Sequence, residues 1–132
     1  MTTQDRGYVA LLSLIIVGAV VLALVVGASA RSVGEARMSL GQQESHRALA
    51  LANLCAERAL FKLESVLNYA GDETLAIGAD TCVIRPIGGS GNLNRTVEAY
   101  STVSDYTKKV KADVTQISPS LQVGSWQEVA DF

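Results

Sequence analysis

Few residues of this chain have types and spacings that could do chemistry, and they are widely separated. Cys55 and Cys82 are its two cysteines, and His46 is its single histidine. The cysteines do not form a C-x-x-C pair, and one histidine adds little toward a metal site. On an exported chain the two thiols are expected to form a disulfide; in a reducing compartment they are two buried thiols. His46 sits in the polar stretch GQQESHR, where a solvated helix residue is the expectation and a ligand is not. Gly88-Gly89-Ser90-Gly91 has neither the lysine nor the strand-to-helix setting of a phosphate loop, and reads as a flexible hairpin. There is no G-x-S-x-G elbow, and the carboxylates are dispersed along the chain. The expectation is a protein that is not an enzyme and carries no cofactor. Lys108, Lys109 and Lys111 are the densest basic cluster. They suit either weak contact with nucleic-acid phosphates or a solvated strand edge guarded against aggregation, and the second reading is preferred. A net charge of −2 also argues against wholesale nucleic-acid binding.

These residues are carried by a chain organised around one apolar stretch. Tyr8 to Ala30 reads YVALLSLIIVGAVVLALVVGASA, 23 residues without a charge or a proline. As a helix it spans about 35 Å, against roughly 30 Å for the hydrocarbon core of a bilayer. Polar residues enter at Arg31, yet no proline occurs before Pro86. The helix is therefore expected to continue as an amphipathic segment over 31–69. Gly34 and Gly41 each cost ~1 kcal/mol relative to alanine and mark the place where it would bend. From Ala48 the helical period puts Leu49, Ala52, Cys55, Ala56, Ala59, Leu60, Leu63, Val66 and Leu67 on one stripe, small enough to let a sheet approach. Leu51, Leu54 and Phe61 fall on the other side, among Arg47, Arg58 and Lys62. They are scattered surface residues or a second packing face for neighbouring subunits. Asn68 to Asp72 supplies a stop, with Gly71 as the cap.

Residues 70–132 alternate in short runs between turn signals. Strands are expected over Glu73–Ile77, Thr81–Ile87, Leu93–Val103, Tyr106–Ile117 and Leu121–Val129, the last an edge strand holding Trp126. Leu93, Val97, Ala99 and Val103 face one way on the third, and Val110, Ala112 and Val114 face inward on the fourth. A helix followed by a meander is an α+β arrangement, with a small antiparallel sheet packed on the helix. Cys55 lies on the helical stripe and Cys82 shares a strand face with Ile84. A bridge between them would tie helix to sheet, and closing that loop contributes roughly 3.5 kcal/mol in the chain-entropy model.

The apolar stretch has three readings. Ala28-Ser29-Ala30 is an A-x-A cleavage site, but the apolar run exceeds the ~7–15 residues of a secretory signal core, and the leader MTTQDR is barely positive. A plain single-pass anchor is the second reading; Arg6 on one side, with Arg31 and Arg37 on the other, orients it poorly. The third reads the junction itself: a short polar leader ends in Arg6-Gly7, and Tyr8 and the apolar helix follow at once. This resembles the class III signal of type IV pilins and type II secretion pseudopilins.

That resemblance implies a leader of residues 1–7, a transmembrane segment 8–30, its amphipathic continuation 31–69, and a sheet region 70–132 completing the head. It implies cleavage between Gly7 and Tyr8 by a prepilin peptidase, with methylation of the new amino terminus. Glycine suits such a site because it lets a protease approach the backbone closely. Most pilins carry glutamate at the fifth mature position; here that position is Leu12. A carboxylate in the bilayer is kept only where a partner exists, so its absence resembles minor pilins placed at or near a filament tip. The implied function is a minor structural subunit with an assembly, adhesion or tip role. It would be held in the inner membrane and then displayed in a pilus at the cell surface. Its implied partners are other pilins, the assembly platform and its ATPase. The alternative is a secreted or membrane-anchored small binding domain unrelated to filaments.

Overall fold

The structure is a computed structural model that describes residues 3–132, with side chains from Gly7 onward. Part of the expected leader, Met1 and Thr2 and the side chains up to Arg6, thus lies outside the described residues. One helix, α1 (Thr3–Ser65), precedes five strands: β1 (Glu73–Ile77), β2 (Asp80–Ile84), β3 (Leu93–Val103), β4 (Tyr106–Gln116) and β5 (Gln122–Val129). The chain divides into two compact units, Met1–Leu40 and Gly41–Phe132.

The first unit is helix alone. Its segment is long and apolar enough to cross a membrane, by length and composition. Its large side chains are exposed, among them Tyr8, Leu14, Leu22 and Val26. Two serines interrupt the apolar run, and each returns its hydroxyl proton to the helix. Ser13 Oγ donates to the Val9 carbonyl at 2.8 Å and Ser29 Oγ to the Val25 carbonyl at 2.9 Å. Neither leaves a bare polar group in an apolar setting.

The second unit is an α+β arrangement in which helical residues 41–65 cover one face of an antiparallel meander ordered β1-β2-β3-β4-β5. Two-residue turns make two of its hairpins, Gly78-Ala79 between β1 and β2 and Ser104-Asp105 between β3 and β4. Gly78 has φ +66°, the positive first position that a tight hairpin matching the strand twist requires. Ala48, Ala52, Cys55, Ala56, Ala59, Leu60 and Leu63 are buried on the helix. Cys82, Ile84, Val97, Ala99, Val110, Ala112 and Val114 are buried on the sheet. Alanines over a flat strand face leave little gap, so a small chain still reaches close packing.

The observed helix differs from the expected one at its end. It stops at Ser65, not Tyr69, and Val66 and Leu67 are 56% and 42% exposed rather than on the buried stripe. Gly71 does adopt a left-handed φ of +75°, but not as a helix cap. A Cβ there would overlap the Arg85 carbonyl oxygen, so the glycine permits the close approach of two loops. Leu51 packs against the core instead of joining a second face, whereas Leu54 and Phe61 are exposed. On β3, Leu93 is 55% exposed and does not join the core. The second strand is shorter than expected, ending at Ile84 ahead of Pro86. Gly34 and Gly41 both lie within α1. Gly41 faces Tyr106, whose hydroxyl would be 2.5 Å from an added Cβ.

Cys55 and Cys82 form a disulfide with their Cα atoms 6.1 Å apart, wholly buried between helix and sheet. It closes a loop with a sequence separation of 27, for which the chain-entropy model gives about 3.5 kcal/mol. Reduction of the intact chain in detergent should therefore lower its melting temperature by roughly 15–25 °C, at ~4–8 °C per kcal/mol for a domain of this size. Circular dichroism with and without dithiothreitol measures it. A shift of only a degree or two would show that the bridge closes no loop that the unfolded chain would otherwise open.

Candidate processing junction and interaction surfaces

Gly7 and Tyr8 lie in the exposed first unit. A Cβ at Gly7 would meet nothing within 4 Å, and Tyr8 is 70% exposed. The backbone here is helical, and a glycine makes local unwinding easier by ~1 kcal/mol relative to alanine. Leu12, at the position of the family's glutamate, is itself exposed among apolar neighbours. Cys55 and Cys82, the other sequence-derived site residues, are joined in the core, 48 positions and more beyond that junction.

Exposed apolar side chains occur on α1 in both units. Val26, Val33 and Leu40 are 62%, 55% and 60% exposed in the first unit, and Leu54 and Phe61 are 47% and 70% exposed in the second. Leu54 and Phe61, seven residues apart, fall on one side of the helix in the second unit. Arg47, on the same helix, is engaged with Asp80 at 2.6 Å at the start of β2. His46 is exposed on the same polar turn.

The end of the helix is organised by a residue that sequence reading missed. Arg95 is 5% exposed, on the inward face of β3 beside Val97. Its Nε donates to the Gly88 carbonyl at 3.0 Å, and Nη1 to the carbonyls of Leu67 and Gly91 at 3.0 and 3.1 Å. Nη2 reaches Tyr69 O at 3.5 Å. No ion-pair partner for it occurs among the described residues. Carbonyl dipoles from the helix exit and from the glycine-rich loop surround the charge instead. The family of odd-numbered inward residues on β3 was the available signal. Arginine by type speaks against burial, so that spacing alone does not mark it.

A second clasp lies next to it. Lys62 Nζ donates to both oxygens of Glu73 at 2.5 and 2.6 Å, and the Tyr69 hydroxyl donates to Glu73 Oε2 at 2.8 Å. The hydrogen bond from Lys62, then that from Tyr69, holds the Glu73 carboxyl below its ordinary value. Burial, then the hydrogen bond and charge of Glu73, raises the Tyr69 phenol well above its usual range, so it remains a donor.

The lysine cluster does not form one cationic surface. Lys108 stands opposite buried Ser101 on the helix-facing side and pairs with Glu128 at 2.6 Å. Lys109 faces the other way and pairs with Asp131 at 2.5 Å, while Lys111 stands across from Glu98 and Gln127. Two of the three charges are thus locally balanced.

Two outcomes follow from the clasps. Arg95→Met should lower unfolding stability by about 1–3 kcal/mol, because it removes the donor to the Leu67 and Gly91 carbonyls, while the Gly88 carbonyl keeps the Thr96 N–H. Arg95→Lys should lose less, a point charge replacing a fork; urea titration of both variants tests this. Because the folded Glu73 is depressed below an ordinary value of 4.5, its contribution is complete above that pH. It is lost as pH falls through the folded value. The melting temperature of the native chain should drop across this acid range more steeply than that of Glu73→Gln, and parallel curves would exclude the clasp as the cause.

No protein-family model, curated protein or solved structure matches this chain.

Proposed function

We propose that the chain is a minor subunit of a type IV pilus or related filament, trimmed after Gly7 and held in the membrane by its apolar helix before assembly. The observation that carries this reading is the pair of exposed apolar residues on the helix of the second unit, Leu54 and Phe61, 47% and 70% exposed. An anchor needs apolar residues only as far as the hydrocarbon extends. Large apolar residues left in solvent on the head's own helix have a use if neighbouring helices pack against them. In an assembly the membrane segment exchanges lipid contacts for helix contacts, where van der Waals packing drives association. The Leu12 position supports a minor role, since an ordinary shaft subunit would carry a carboxylate there.

In this reading a prepilin peptidase acts on the Gly7–Tyr8 bond, and the platform protein, the assembly ATPase and other pilins are the partners. The head, stapled by Cys55–Cys82, is the part presented outside the cell. Contact with nucleic acid is a poor fit to the paired lysines.

Mass spectrometry of the mature protein from its host should find an N-methylated Tyr8 start. A start at Arg31 or a retained Met1 would reject the processing site. Phe61→Glu should still be processed and keep its disulfide, yet leave the assembled filament fraction at least tenfold depleted, because the glutamate must be desolvated at a helix seam. Undiminished assembly of that variant would remove the pair from the interface.

A further inference from the structure

The face of the sheet turned away from the helix carries an open groove of about 390 Å³ lined by Arg85, Tyr100, Thr102, Thr107, Lys109 and Phe132. Phe132 is one of its walls, so this volume is the space left beside the docked end of the chain's own Asp131–Phe132 segment. Beyond β5 the chain bends at Ala130. Asp131 Oδ1 accepts from Lys109 Nζ at 2.5 Å, and the Phe132 ring lies 4.9 Å from the Arg85 guanidinium and 5.4 Å from Lys109 Nζ. The groove thus offers one cation to a carboxylate and two cations to the faces of an aromatic ring. This is recognition of an acid followed by an aromatic.

The resident segment is lightly held. The Asp131 side chain is 85% exposed. Phe132 is no part of the buried core, and the β4–β5 ladder ends at the Lys109–Val129 pair. Exposed ion pairs and cation–π contacts are individually weak. The segment can leave without disturbing a strand, and the groove then presents two cations beside Tyr100. Arg85 keeps only a 3.5 Å contact with Glu98.

We propose that this groove takes the Asp131–Phe132 segment of a second copy of the chain, in exchange for its own. The fit on view is to this pair of side chains, and a second copy carries the same pair at the end of the same strand. Exchange of an identical element is a low-cost route to association, and a segment-into-groove contact is head-to-tail, so repetition extends an array instead of closing it. Three residues past Val129 span at most about 10 Å. The neighbour must therefore bring the end of its β5 onto this outer face, and no strand need unpair. The weak single contact gains from close neighbours, whose effective concentration reaches the millimolar range. In that respect the inference rests on the filament reading.

Photo-crosslinking of the full chain in its membrane and filament fractions tests it, with benzoyl-phenylalanine in place of Phe132. One chain carries this probe and Lys109→Glu, which disables its own groove. A tagged second chain keeps its groove and carries Asp131→Ala and Phe132→Ala. Irradiation should give a covalent heterodimer with the link mapped to the groove strands of the tagged chain. Adding Lys109→Glu to the tagged chain should reduce the yield at least tenfold, and Asp131→Lys in the probe chain should restore it. Links confined to the probe's own chain, or a yield indifferent to Lys109→Glu, would overturn the exchange. Filaments that assemble normally without the heterodimer reject this inference and leave the filament reading standing. A heterodimer formed in detergent by a chain that never enters filaments rejects that reading and leaves the exchange.

Discussion

A buried cation with no ion-pair partner among the described residues stands at the centre of this head. Arg95 leaves the inward face of β3 and gathers carbonyl oxygens from the helix exit, Leu67 and Tyr69, and from the loop at Gly88 and Gly91. All four carbonyls lie outside α1, two just past its end and two in the glycine-rich loop, and their dipoles stand where a counter-ion otherwise would. The chain leaves the helix at Ser65 and runs back as β1 alongside β2. The Lys62–Glu73–Tyr69 clasp then fastens the first residue of β1 to the last turn of the helix. The disulfide holds the middle of the same helix to β2.

The helix in the second unit consequently has two fates on two sides. One side, made of alanines, Cys55, Leu60 and Leu63, is committed to the sheet and sealed by covalent linkage. The other keeps Leu54 and Phe61 in solvent, although nothing in the head needs them there. Single exposed apolar residues are ordinary. Two of them, seven residues apart on one side of the head's helix, form a small apolar patch. A head stabilised on one side and left open on the other is suited to packing among neighbours, the setting in which the filament reading places it.

Sequence by itself determined the large features, because they rest on local composition and period. Twenty-three uncharged residues from Tyr8 can only be a helix seeking an apolar environment. Alternation by twos after Glu73 gives strands, and glycine and proline bound them. The alanine-rich stripe and the inward residues of β3 and β4 were legible for the same reason: burial of apolar faces is written in their spacing. Cys55 and Cys82 could be placed on facing surfaces, though their joining is a fact of three dimensions.

Tertiary structure alone decided what depends on partners distant in sequence. The burial of Arg95 turns on carbonyls 26 and 28 residues away, a compensation that residue type does not announce. The helix ends at Ser65, and the two carbonyls just beyond it, Leu67 and Tyr69, face Arg95, whereas periodicity alone would carry the helix on to Tyr69. Lys108 and Lys109 read as one cluster, yet strand pleating sends them to opposite faces, where Glu128 and Asp131 meet them. Period and composition act through neighbours along the chain and are visible in a string of letters. Charge compensation acts through neighbours in space, and only the folded chain supplies those.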